Sequence, residues 1–341
     1  MFKSLDPARD IVNQLSAINE VVTVTSTYFS DTGEPTVKRF SHWTSGSVSG
    51  SFYHAIFNTS SNSATAVEIA DITVGYSNSS SFYISGAILS SKPASNISQK
   101  NRIYRLFAKK LLGSETEFFT FNSTPVHELI FLTIRRSQYK DEIKKGTVGI
   151  ETQFSGNWNI NKVSSYHYDT NASNVFSRTQ YGDVANLYTG SNVSGKVYYN
   201  AGVIALIPDK VNNTGSWNGN SWSGSLDFGQ VLATSAFDNM LDGARYKMRN
   251  LSFVAQTNLH SSFYFCRALN DEFNYSSNPT FVDSAGRIIT TSSSVNLTTR
   301  TYITKVGLLG ENNELLAIAS LSKPLKKSPD TELVIKVRLD Y

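Results

Sequence analysis

Apolar and polar positions alternate most regularly at the end of the chain. Leu333, Ile335, Val337, Leu339 and Tyr341 share one parity, and Val334, Lys336, Arg338 and Asp340 share the other. This predicts a strand with one apolar face and one mostly charged face. Tyr302–Leu308 and Glu314–Leu321 read as two further strands, with Gly310-Glu311-Asn312-Asn313 supplying the turn between them. Lys323-Pro324 and Ser328-Pro329-Asp330 are expected to break the chain before the last strand. Thr301–Tyr341 therefore predicts a C-terminal β-meander. Its apolar row needs cover, which makes Leu333, Ile335, Val337, Leu339 and Tyr341 candidate interface residues, docked in the chain's own sheet or against a partner.

Helical spacing is rarer. Asp6-Pro7 has the form of an N-cap followed by proline at the first helical position, and Ala8, Ile11, Leu15 and Ile18 follow at helical intervals up to Asn19. Lys100–Leu112 places Ile103, Leu106, Phe107 and Leu111 on one face and Arg102, Arg105 and Lys109 on the other, with Gly113 at the stop. A third helical pattern starts at Phe237 and takes in Leu241, Ala244, Met248 and Leu251. Most of the remainder reads as strand: Val21–Phe29, Thr36–Trp43, Gly46–Tyr53, Ala64–Tyr76, Phe82–Leu89, Phe118–Phe121, Leu129–Arg135, Thr147–Phe154, Phe253–Ala255 and Phe263–Leu269. Val197–Ile207 is a near-continuous apolar run, as expected of a strand buried on both faces. Asn157–Val197 is rich in Asn, Ser, Tyr and Gly and predicts loops with short hairpins; Asn212–Gly224 predicts a loop.

The expected class is mainly β with a few helices (α+β), built from antiparallel, sandwich-like sheets. Soft boundaries give a β-rich region at 1–95, a helix with strands at 96–156, a loop-rich β region at 157–230, and a helix with the C-terminal meander at 231–341. They form one or two cores.

The 341 residues carry a formal net charge of +4, which alone does not imply polyanion binding. No apolar run is long enough to span a bilayer, and Met1-Phe2-Lys3-Ser4 leads into no signal-peptide pattern. Cys266 is the one cysteine, in an apparent strand, and reads as a small buried hydrophobe rather than a nucleophile.

Catalytic patterns fail one by one. There is no P-loop or Rossmann fingerprint. Gly46-Ser47-Val48-Ser49-Gly50 has valine where a nucleophile elbow needs serine. His127-Glu128 starts like a zincin helix, but Phe131 stands where the second histidine belongs. The five histidines are dispersed, and the pairs Asp141-Glu142 and Asp238/Asp242 read as surface charge. Lys100–Lys110, Arg135-Arg136 and Lys140–Lys145 make the middle basic; a solvated face is the plainer account beside contact with DNA or an acidic neighbour. Trp217 and Trp222, in the loop, are candidate interface residues, either projecting or folded back on their own sheet.

The block YITKVGLLGENNELLAIASLSKP (Tyr302–Pro324) resembles one found in tail and baseplate structural proteins of contractile-tailed phages, with Leu309 where that block usually has tyrosine. Looser blocks of the same kind are Arg102–Gly113, Glu128–Gly149, Ala201–Pro208 and Asn270–Val282. The chain thus resembles a virion structural protein of large, T4-like phages. That resemblance implies a non-enzymatic protein of the virion, assembled in the host cytoplasm, joining neighbouring subunits at a tail baseplate. The implied partners are other virion proteins in a symmetric oligomeric assembly, with no cofactor, no membrane and no specific nucleic acid. A capsid decoration or neck protein, a receptor-binding adhesin and, less readily, a glycan-degrading tail enzyme remain open.

Overall fold

The computed structural model describes residues 3–25, 53–57, 67–80, 94–157, 160–211, 241, 244, 248–289 and 300–341. Within these the protein is mainly β, with antiparallel sheets, as its residue usage predicts. The elements run α1 (Pro7–Asp10), β1 (Ile11–Thr25), β2 (His54–Phe57), β3 (Glu68–Tyr76), α2 (Ala94–Leu111), β4 (Phe119–Phe121), β5 (Thr124–Val126) and β6 (Glu128–Ile134). They continue with α3 (Arg136–Tyr139), β7 (Glu142–Ile143), β8 (Gly149–Asn157), β9 (Ile160–Tyr168), β10 (Ser177–Thr179), β11 (Gly182–Thr189), β12 (Asn192–Tyr198), β13 (Val203–Leu206) and α4 (Pro208–Val211). The last four are β14 (Met248–Ala268), β15 (Thr301–Leu309), β16 (Leu315–Lys327) and β17 (Leu333–Asp340). The chain divides into two compact units, Met1–Ala17 with Asn258–Tyr341 and Ile18–Thr257.

The larger unit is organised by the strand order β8-β9-β11-β12-β13-β6-β3-β2. Register aligns one buried apolar row across five of these strands: Ile72 opposite Leu132, Leu132 opposite Ile204, Ile204 opposite Val197, and Val197 opposite Ala185. On the opposite face α2 lies over β3 and β6. Phe107 stacks on Phe131 with centroids 4.2 Å apart. The Tyr104 hydroxyl donates to the Val126 carbonyl at 2.7 Å and accepts from the Phe119 N–H at 3.1 Å. The helix sits so low that a Cβ on Gly75 would come 2.9 Å from the Tyr104 nitrogen, so only glycine fits there.

The smaller unit is a two-layer β structure. The second half of β14 pairs with β17, Tyr264 opposite Val337 and Cys266 opposite Ile335. The hairpin β15–β16 forms its own two-stranded sheet. Leu308, Ile335 and Val337 are the buried centre, with Leu5, Tyr264, Cys266, Ile303, Val306, Ala317, Ala319, Leu321 and Leu325 around them.

Several expectations are corrected. The Asp6 cap holds, its side chain accepting from the Ala8 N–H at 3.0 Å, but the helix ends at Asp10 and Ile11 begins a 15-residue strand. Pairing with β14 and the β-branched Ile11, Val12, Val21 and Val22 override the helical spacing. Asn157–Val197 carries strands β9 to β12 of the main sheet. Its polar residues are paired within the sheet: Ser165 and Thr189 hydroxyls lie 3.0 Å apart, and the Ser194 hydroxyl donates to the Leu187 carbonyl. Val197–Ile207 is not one strand; the chain turns at Asn200-Ala201-Gly202, with Gly202 at φ +64°. Met248 and Leu251 belong to β14, which runs unbroken where two shorter strands were expected, while Leu241 and Ala244 are helical and buried. Helix α2 starts at Ala94, ahead of the expected Lys100, and ends at Leu111. Strand β16 continues through Pro324, absorbing it in a bulge between the Ile303 and Lys305 pairings. The last strand is antiparallel but pairs with β14 rather than extending the hairpin into a meander. The predicted strands Thr36–Trp43 and Phe82–Leu89 and the Asn212–Gly224 loop lie outside the described residues.

Candidate interaction surface

The expected alternation in β17 holds: Ile335 and Val337 are buried, Leu333 and Leu339 half-buried, and Val334, Lys336, Arg338 and Asp340 exposed. This apolar row is covered by the hairpin and Tyr264 of the same unit. Tyr341 is mostly exposed, its ring 6.1 Å from that of His260 and its hydroxyl 3.3 Å from that of Ser262. Trp217 and Trp222 lie outside the described residues.

The outer face of the β14–β17 pair is a ladder of cations on rings. Lys336 Nζ lies 4.0 Å from the Phe263 centroid and 5.8 Å from that of Phe265, and the Arg338 guanidinium is 5.7 Å from Phe263. Arg338 Nε donates to Asp340 at 2.6 Å, and the Ser261 hydroxyl donates to the same oxygen at 2.7 Å. These partners hold the exposed Asp340 carboxyl below its usual range.

The hairpin carries a cluster of uncovered apolar side chains, which sequence patterning alone did not single out. Tyr302, Leu315, Leu316 and Ile318 are 61%, 58%, 64% and 59% exposed. Leu316 is the extra residue of a bulge, since Leu308 pairs with Ala317 and Leu309 with Leu315. Gly307 lies opposite Ile318, and Leu315 occupies the space a side chain there would fill. The turn carries Glu311 and Glu314, and the distal part of β16 carries Lys323 and Lys326, all exposed.

The base of the hairpin is tied down by a buried ammonium. Lys327 Nζ donates to the Asn270 carbonyl at 3.1 Å, the Asn274 side-chain oxygen at 2.9 Å and the Ser328 carbonyl at 3.0 Å. All three of its protons are used. The Thr301 hydroxyl donates to the Phe273 carbonyl, and Lys3 pairs with Glu272 at 2.6 Å. Hydrogen bonds from Lys3 and the Leu269 N–H hold the Glu272 carboxyl low. Cys266 is half-buried in this core; burial pushes its thiol up, as does the nearby Asp10.

In the larger unit the titratable clusters are mostly self-contained. A β-bulge leaves Ile69 without a partner on β2, its carbonyl accepting from the Arg135 N–H, and Glu68 and Asp71 both reach Arg135. Burial, then a hydrogen bond with Glu68, pushes the Asp71 carboxyl up to about 7. His167 is buried; Nε2 lies 3.0 Å from the Thr152 hydroxyl, which donates to the Val211 carbonyl, so Nε2 carries the proton. Desolvation lowers its pKa to about 4. Asp169 accepts from the Gly146 and Val148 N–H groups and the Tyr199 hydroxyl, pinning the turn before β8. His127 meets Ser77 at 2.8 Å and the ring of Phe118 edge-on, with no metal-like company. Among the described residues no His, Cys, Asp and Glu side chains group in a way that could hold a metal ion.

The basic middle is engaged in part, and Arg102, Lys109, Lys110, Lys140 and Lys144 stay exposed. Arg105 pairs with Glu115 at 2.8 Å and Lys145 with Asp183 at 2.8 Å, while Lys100 is buried. On the sheet surface Tyr166 and Tyr168 are about half exposed, and their rings lie 6.2 Å apart and 3° from parallel. Comparison of the chain with protein-family models, with curated proteins and with solved structures finds no match.

Proposed function

We propose that this protein is a non-enzymatic structural component of a phage virion, a tail baseplate protein that joins neighbouring subunits through the β15–β16 hairpin. The observation that carries this reading is the coincidence of two features on one stretch. Tyr302–Pro324 is the block with the phage-tail resemblance, and it holds the exposed aliphatics Leu315, Leu316 and Ile318. An uncharged, uncovered aliphatic edge of this kind marks an association surface or an aggregation hazard, and a virion subunit uses it for the first. The apolar row of the last strand packs in its own core, so the association surface is assigned here to the hairpin that lies on it. Imaging of particles formed without this protein tests the reading: missing baseplates support it, and complete tails contradict it.

A receptor-binding role has one observation in its favour, the exposed parallel pair Tyr166–Tyr168, which offers aromatic faces to a sugar ring or a protein. Under that reading particles lacking the protein assemble fully but do not adsorb to host cells.

A further inference from the structure

Resting on the structural reading above, we infer that the free edge of β16 pairs antiparallel with the same strand of a second copy of this chain, about a two-fold axis near Ile318. Among the described residues β16 has a partner, β15, on one side only. Edge strands are normally guarded by charge, and Leu315–Ser322 contains none. Leu315, Leu316 and Ile318 are each more than half exposed on this segment.

Charge placement selects the partner and its direction. Glu311 and Glu314 stand at the turn end, Lys323 and Lys326 at the other, and none has an ion-pair partner among the described residues. Glu314 and Lys323 are nine positions apart, on the order of 30 Å along an extended strand, too far to pair within one copy. A parallel copy would set acid beside acid and base beside base. An antiparallel copy sets the acidic end of each strand beside the basic end of the other, at both ends of the contact. Centred on Ile318, that register brings Glu314 opposite Ser322 and next to Lys323 of the copy, with the aliphatic segments meeting in the middle. The contact is isologous and closes on itself, as a two-fold interface must.

Sedimentation equilibrium of the full chain at micromolar concentration and low ionic strength tests this. The expected mass is twice 37.6 kDa for the natural chain and 37.6 kDa for Ile318→Lys, which places two ammonium groups at the axis. Glu311→Lys with Glu314→Lys, and separately Lys323→Glu with Lys326→Glu, should each weaken self-association by about tenfold or more. A one-to-one mixture of those two variants should regain the dimer. These exposed positions decide the matter even if Ile318→Lys fails to fold. A monomeric natural chain overturns the pairing, as does a dimer indifferent to both charge reversals or a strand of another protein occupying this edge. A monomer in solution that still incorporates into particles overturns the pairing alone. Absence from particles overturns the virion reading and leaves the dimer result standing.

Discussion

The ammonium of Lys336 lies 4.0 Å from the ring centroid of Phe263, on the strand next to its own and diagonal to its register partner Phe265. The charged face of the last strand is therefore seated on aromatic rings, not simply left in water. Lys336→Ala should lower stability by about 0.5–1 kcal/mol, the value of an exposed cation–π contact, as read by urea denaturation. Lys336→Arg should keep most of it. An unchanged midpoint in the alanine variant would show that the ring contact contributes nothing.

Lys327 makes a larger claim. Its replacement by Met removes a buried ammonium and leaves the Asn270 carbonyl, the Asn274 side-chain oxygen and the Ser328 carbonyl without their donor. Hydrogen bonds to a charged group contribute about 1.5–3 kcal/mol, so a loss of at least that size is expected. Limited proteolysis should then cut within 270–278 faster than in the natural chain. Equal cleavage rates would contradict the tethering role.

A buried and a partly buried group of the larger unit oppose each other with pH. The His167 pKa is lowered to about 4, against 6.5 ordinarily. Between those values the unfolded chain holds a proton that the folded chain does not, so stability is lost as pH falls through that window, by about 1.4 kcal/mol per pH unit at most. Asp71 is raised to about 7 from 3.8, so the folded chain holds the extra proton and stability falls as pH rises across that range. His167→Gln should make the protein relatively more stable with falling pH below 6.5, and Asp71→Asn should remove the decline toward neutrality. Identical pH profiles in the natural and variant chains would contradict both assignments.

Gly75 tests the packing of α2. Alanine there would place a Cβ 2.9 Å from the Tyr104 nitrogen and 3.0 Å from the Lys100 carbonyl oxygen, both backbone atoms that cannot turn aside. Gly75→Ala should cost about 1–3 kcal/mol through displacement of the helix. A neutral substitution would mean that the helix rides higher on the sheet.

The sequence was most legible where one face of an element is buried and the other wet. Val334, Lys336 and Arg338 against Ile335 and Val337 marked β17, and Ile103, Phe107 and Leu111 marked α2, although Leu106, expected on the same face, is exposed. It was least legible where buried hydroxyls interrupt the alternation of a strand. Ser165 and Ser194 give no apolar rhythm because hydroxyl pairing, rather than burial of hydrocarbon, satisfies their positions. Spacing misled at Ile11, Leu15 and Ile18, where pairing with β14 decides the conformation. The hairpin surface escaped pattern reading because Leu315 and Ile318 look like core positions; only their exposure distinguishes them. The Lys327 tether had no local signal, since Asn270 and Asn274 lie far from it in the chain.

The measurement that bears most directly on the proposed virion role is quantitative mass spectrometry of purified particles, with isolated tails analysed alongside whole virions. This protein should be present in both fractions at a constant ratio to the other tail components, and Ile318→Lys should lower that ratio severalfold at unchanged expression. Abundance in the infected cell without any protein in purified particles would contradict it.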